Sequence, residues 1–138
     1  RLLGALTPQR GWEYSSRRHA AAAAATRAGA VALGGGLAPY VHEAKDAAPV
    51  ATTLRAPAGV DAAGLVAKAL RTDPSLPLIA GGGALSKEMI RVNHYGVDAT
   101  RGVVQSSIAA LGSALADEGR QVDFEAARKA VSETWPSE

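Results

Sequence analysis

Apolar and polar positions recur along this chain with different periods, and each period predicts an element. Arg17 to Leu33 is Ala-rich and strongly helix-favouring. Ser15-Ser16 offers an N-cap, because a serine hydroxyl can accept from the free amides of a first turn. Gly34-Gly35-Gly36 ends this helix. Residues 1–14, with Pro8, Gly11 and Trp12, read as a connector. Tyr40 to Ala48 is an irregular polar stretch, after which Val50 to Arg55 has strand chemistry ended by Pro57 and Gly59. Asp61 can cap a second helix that carries Leu65, Val66, Ala69 and Leu70 on one face, and Asp73-Pro74 stops it. Leu76 to Ala80 is a short apolar strand closed by Gly81-Gly82-Gly83.

Glu88 to His94 predicts a further strand. Ile90 and Val92 point one way, and Met89, Arg91 and Asn93 the other. Asp98 or Thr100 caps a third helix, where Val104, Ile108, Leu111 and Leu115 make one apolar stripe and Gly119 marks the end. Asp123 can cap a last helix with Phe124, Ala127 and Val131 on one side. The order α-β-α-β-β-α-α predicts an α+β fold. In it a three- to four-stranded, mainly antiparallel sheet has helices packed on one face.

Composition narrows the class. The 138 residues suit one domain with a modest core of Leu, Val, Ile and many Ala, since aromatic residues are only 4%. Fifteen basic residues, eleven of them Arg, nearly balance thirteen acidic ones. A net charge of +2 gives no field for holding a polyanion, so no nucleic-acid partner is expected. With no Cys there is no disulfide framework and no thiolate metal site. No apolar run approaches the roughly 20 residues that span a bilayer, and Arg1 to Leu6 is too short for a signal peptide. A cytoplasmic protein without a membrane partner is expected, and the lack of an initiator Met reads as a fragment or a processed piece.

Few residues could carry chemistry. Gly81-Gly82-Gly83-Ala84 follows a strand, but its spacing fits neither a Walker A loop nor a dinucleotide fingerprint, and a flexible turn between strands fits better. His19 and His42 have no acidic or histidine neighbour at ligand spacing and read as surface or packing residues. His94 closes a strand, where side chains often line a cleft, although a packing role is the leading reading there too. Arg91 lies mid-strand between apolar neighbours, where an unpaired guanidinium would be costly. It needs a carboxylate, either a structural Asp or Glu or that of a ligand, and position alone leaves both open.

Met89-Ile90-Arg91-Val92-Asn93-His94-Tyr95-Gly96, followed by Asp98-Ala99-Thr100-Arg101 and an apolar helix, resembles the C-terminal signature of the class V pyridoxal-phosphate (PLP) aminotransferases. Val50 to Pro57 with Gly59-Val60-Asp61, Ile79-Ala80-Gly81-Gly82 and Arg18-His19 are similar to further motifs of that family, in the same order. The resemblance covers about residues 12 to 120 and is nearest the alanine–glyoxylate, serine–pyruvate and pyridoxamine–pyruvate branch. It implies that Arg91 binds the substrate carboxylate; Asn93, a polar group where the family has Gly, and His94 at the strand end are further candidates for the same site. Departures from the pattern are Asn93 for the usual Gly, Tyr95 for Met or Leu, and glycines where the pyridoxamine–pyruvate enzymes carry a second Arg.

The family's cofactor-binding Lys, pyridinium-binding Asp and phosphate cup belong to a large domain that precedes this region. Lys45, Lys68, Lys87 and Lys129 match no catalytic motif. The resemblance therefore implies a chain without catalytic, cofactor-binding or metal residues of its own, inactive by itself and binding no PLP alone. In the intact homodimeric enzyme it would pass an amino group to a small keto acid such as pyruvate or glyoxylate. On this division residues 1–14 connect to the large domain, 15–120 are the small domain and 121–138 a C-terminal helical extension. Two alternatives differ in class. One is a free-standing small-molecule-binding or regulatory α+β module that uses Arg91 without PLP; the other is a structural domain whose helix faces make a protein interface.

Overall fold

A computed structural model describes residues 8–40 and 51–136. The first helix, α1 (Pro8–Leu33), starts well before Ser15-Ser16, so residues 8–14, expected to hold no element, form its first turns. Proline is tolerated at a first helical position, where its missing N–H has no partner to lose. Gly11 costs a helix only about 1 kcal/mol, too little to break a long Ala-rich one. Gly34 ends α1 at φ 77°. A two-residue strand, β1 (Ala38–Pro39), comes next and was not expected. Most of the irregular stretch, with His42 and Lys45, lies outside the described residues.

Strand β2 (Thr52–Arg55) leads through the Pro57 to Asp61 turn into helix α2 (Ala62–Thr72). Asp61 stands at the N-cap position but its carboxylate caps nothing; its carbonyl accepts from the Leu65 N–H instead. Strands β3 (Leu78–Ala80) and β4 (Met89–Val92) flank the Gly-rich segment, which is a built turn with a 3-10 helix over Gly83–Lys87. At Gly81 a Cβ would sit 2.9 Å from Leu85 Cβ and 3.0 Å from Met89 Cβ, so close approach of the chain explains the glycine. Helix α3 (Arg101–Asp117) is capped by Thr100, whose Oγ1 accepts from the Val103 N–H, and not by Asp98. Helix α4 (Phe124–Thr134) is capped by Asp123, whose Oδ1 accepts from the Ala126 N–H.

The four strands form one antiparallel sheet in the order β1-β2-β4-β3. Thr52, Leu54, Leu78, Ile90 and Val92 are buried on one face, where α1 and α2 pack. Helix α3 packs on α1 and α2, and α4 on α1 and α3. The predicted stripe of Val104, Ile108, Leu111 and Leu115 is buried throughout. Each such aliphatic side chain contributes about 1.5–3 kcal/mol by leaving water. Phe124 departs from its expected place: it stays 44% exposed, its ring lying over Gly112, where an added Cβ would be 2.6 Å from Phe124 Cε1.

Candidate functional site

The second face of the sheet carries Thr53, Arg55, Ile79, Met89 and Arg91. Register places Thr53 and Ile79 directly opposite Arg91 on the two neighbouring strands. Arg91 is exposed and Ile79 is 50% exposed, so this face is open to solvent among the described residues. The guanidinium therefore bears none of the desolvation cost expected of a buried mid-strand arginine.

The two arginines of this face differ in what they hold. Arg55 Nη1 donates to Glu88 Oε1 at 3.0 Å, and its guanidinium lies 4.2 Å from the centre of the Tyr40 ring. Arg91 has no carboxylate partner among the described residues. Of the two sources of a carboxylate left open by the sequence, no described Asp or Glu supplies the structural one. The arrangement is that of an available two-pronged anion donor between a hydroxyl residue and an aliphatic one.

Asn93 follows Arg91 by two positions and is half-buried. Its backbone N–H donates to Pro77 O at 2.8 Å, extending the β3–β4 ladder by one bond. His94 is placed differently from the expectation that it stands beside the substrate. It is fully buried on the helix side, away from the face of Arg91. Its Nε2 is 2.8 Å from Thr52 Oγ1, which ties the end of β4 to β2 across the core. Burial holds the imidazole below its usual pKa of 6.5, and the neighbouring His19 and Arg27 side chains act in the same direction. Contact with its own backbone opposes this only in part, and Nδ1 completes no hydrogen bond among the described residues. His94 is thus a core residue, and the residues that register sets beside Arg91 on the open face are Thr53 and Ile79, with Asn93 two positions further along the chain.

His19 is buried and bonded, as a packing residue would be: its Nε2 accepts from the Gly96 N–H. Thr53 and Ile79 escaped the sequence reading because only the strand register brings them to Arg91. The Thr52-Thr53 pair in a short strand was the signal available, since alternation sends one to each face. Among the described residues no group of three or more metal-binding side chains occurs, and no helix is long and apolar enough to cross a membrane.

No protein-family model matches the chain, and no curated protein matches it in sequence. Solved structures do. The chain is similar to pyridoxamine–pyruvate aminotransferase from Mesorhizobium loti, with a TM-score of 0.79 and 27% identity over 91% of this chain and 31% of that one. It is similar in fold to ureidoglycine–glyoxylate aminotransferase from Bacillus subtilis, with a TM-score of 0.79 and 22% identity over 92% of this chain and 32% of that one. The chain therefore spans about a third of the length of these enzymes. In fold and in the order of its motifs, it resembles the small domain of the class V aminotransferases.

Proposed function

We propose that this chain is the small-domain part of a PLP-dependent aminotransferase that passes an amino group to a small keto acid, and that Arg91 holds the acid's carboxylate. The observation that carries the reading is the exposed, unpaired guanidinium of Arg91 at the centre of an open sheet face. A guanidinium can clamp a carboxylate through two parallel hydrogen bonds. The flanking Ile79 gives the short carbon chain of such an acid an apolar neighbour, and the Thr53 hydroxyl offers one further hydrogen bond. Likeness to enzymes named for pyruvate and glyoxylate supports the substrate class.

When bound, PLP supplies an electron sink at the amino acid's α-carbon. The described lysines of this chain do not fit the task of anchoring it. Lys68 is fixed by Glu118 at 2.5 Å and Asp117 at 3.0 Å, and these bonds, Glu118 first, raise its pKa above the usual 10.5. An anchoring amine must instead give up its proton. Lys87 is exposed at the edge of an open cleft beside Glu88 and Asp61, and Lys129 is exposed and faces Glu133 at 4.0 Å. The cofactor's place is thus in a large domain beyond this chain, and the chain contributes one wall of the site.

Arg91→Lys in the protein that carries this chain tests the reading. Lysine keeps the charge but loses the paired hydrogen bonds. The KM for pyruvate should rise by about 10- to 100-fold while the visible spectrum of the bound cofactor stays the same. An unchanged KM and turnover would remove Arg91 from the site.

A further inference from the structure

The segment that follows Arg91 is fastened by a histidine from a distant part of the chain. The Gly96 N–H donates to His19 Nε2 at 3.0 Å, across 77 residues of sequence. The ring of His19 also stacks on Tyr95, with centroids 5.5 Å apart and planes 19° from parallel. A backbone amide can only donate, so Nε2 must present its lone pair and a neutral ring carries its proton on Nδ1. Two residues earlier, His94 is tied to Thr52. Tyr95, itself 63% exposed, is therefore bracketed by two histidine bonds, one to β2 and one to α1.

This bracket lies where backbone pairing runs out. Beyond Asn93 the ladder with β3 ends, and short-range bonds take over: Tyr95 N–H to Asn93 O, and Asp98 N–H to Tyr95 O. Exposed segments with only local bonds open easily. Gly96 stands at φ 60° at the head of the short 3-10 turn that leads to Thr100 and α3. The His19 acceptor on α1 thus ties this turn to the helical layer, between the buried His94 and Ala99.

We propose that His19 is a positioning residue for the carboxylate site. By accepting from Gly96 and stacking on Tyr95, it holds the Asn93 to Asp98 segment so that Asn93 and Arg91 keep their direction at the end of β4. The inference rests on the reading of Arg91 as the carboxylate holder. His19 itself touches no substrate; it acts through the turn.

Two variants separate its acceptor from its ring. His19→Phe keeps a flat ring against Tyr95 and removes the acceptor, whereas His19→Gln places a carbonyl oxygen at a reach close to that of Nε2. Amide exchange at Gly96 should quicken by about tenfold in His19→Phe and return towards the original rate in His19→Gln. The KM for pyruvate should rise several-fold in the first variant and recover in the second, with kcat little changed. Core methyl signals of Ile108 and Leu111 report whether the variants are folded. If His19→Phe does not fold, a coupling across the hydrogen bond between the Gly96 amide and His19 Nε2, sought in the unmodified protein, decides instead. Its absence would overturn the proposal. So would unchanged Gly96 exchange in His19→Phe, or faster exchange with an unchanged KM, which would leave a merely structural contact. Failure of the carboxylate reading is seen separately, as an unchanged KM in Arg91→Lys, and leaves the Gly96 exchange result as it is.

Discussion

Arg91 and His94 stand three positions apart and live in opposite environments. One lies open on the sheet, and the other is sealed beneath the helices. Strand alternation assigns them so, because a period of two sends every second side chain to the same face. Burial has a consequence for stability at His94. Its folded-state pKa lies below 6.5, the value an unfolded chain would show. As pH falls through that value, the unfolded chain takes up a proton that the folded one resists, so stability declines on acidification. The Tm of the chain should drop less steeply below about pH 6.5 in His94→Gln than in the unmodified chain. Identical slopes would mean that His94 is not the buried titrating group. The sequence singled out Arg91 by its place in a strand, although on the exposed face the guanidinium bears no desolvation cost that would demand a carboxylate. His19 was not legible in this way, since its partner Gly96 is 77 residues away and no local pattern announces such a bond.

The elements followed their periods where the periods were long. The α3 stripe of four apolar residues came directly from spacing, and the turn read between two strands does join the antiparallel pair β3 and β4. Strand β1, two residues with no β-branched side chain, carries no pattern to read. The start of α1 was hidden by Pro8 and Gly11, which read as breakers and are tolerated here. Packing between helices depends on small residues at close contacts. An Ala at Gly29 would put its Cβ 2.7 Å from Val131 Cγ2 and 3.4 Å from Ile108 Cγ1. Overpacking costs about 1–3 kcal/mol and outweighs the gain of up to about 1 kcal/mol in helix propensity. Gly29→Ala should therefore lower the stability measured by urea unfolding. Gly102→Ala, in the open first turn of α3 with nothing within 4 Å, should raise it by a few tenths to about 1 kcal/mol. If Gly29→Ala were the more stabilising of the two, the α1–α4 contact would be looser than described.

At the scale of the whole molecule, the described helices cover one side of the sheet, and among the described residues the Arg91 side is open. The chain spans about a third of the enzymes it is similar to, and on the proposed function it completes a catalytic site only together with a large domain. The isolated chain, incubated with PLP and dialysed, should keep no cofactor absorbance. A stoichiometric borohydride-trapped adduct on one lysine would contradict that division of labour. The order of motifs made this architecture readable before the fold was known, because each motif is a turn or strand end fixed by backbone geometry. The neighbours of Arg91 on the open face depend on register, and register came only with the fold. The central claim is that this face receives a substrate carboxylate. It is tested most directly by a crystal structure of the protein that carries this chain, with PLP and pyruvate bound. The pyruvate carboxylate should lie on the Arg91 guanidinium, between Thr53 and Ile79. A carboxylate bound elsewhere, with Arg91 paired to an Asp or Glu of the protein, would contradict it.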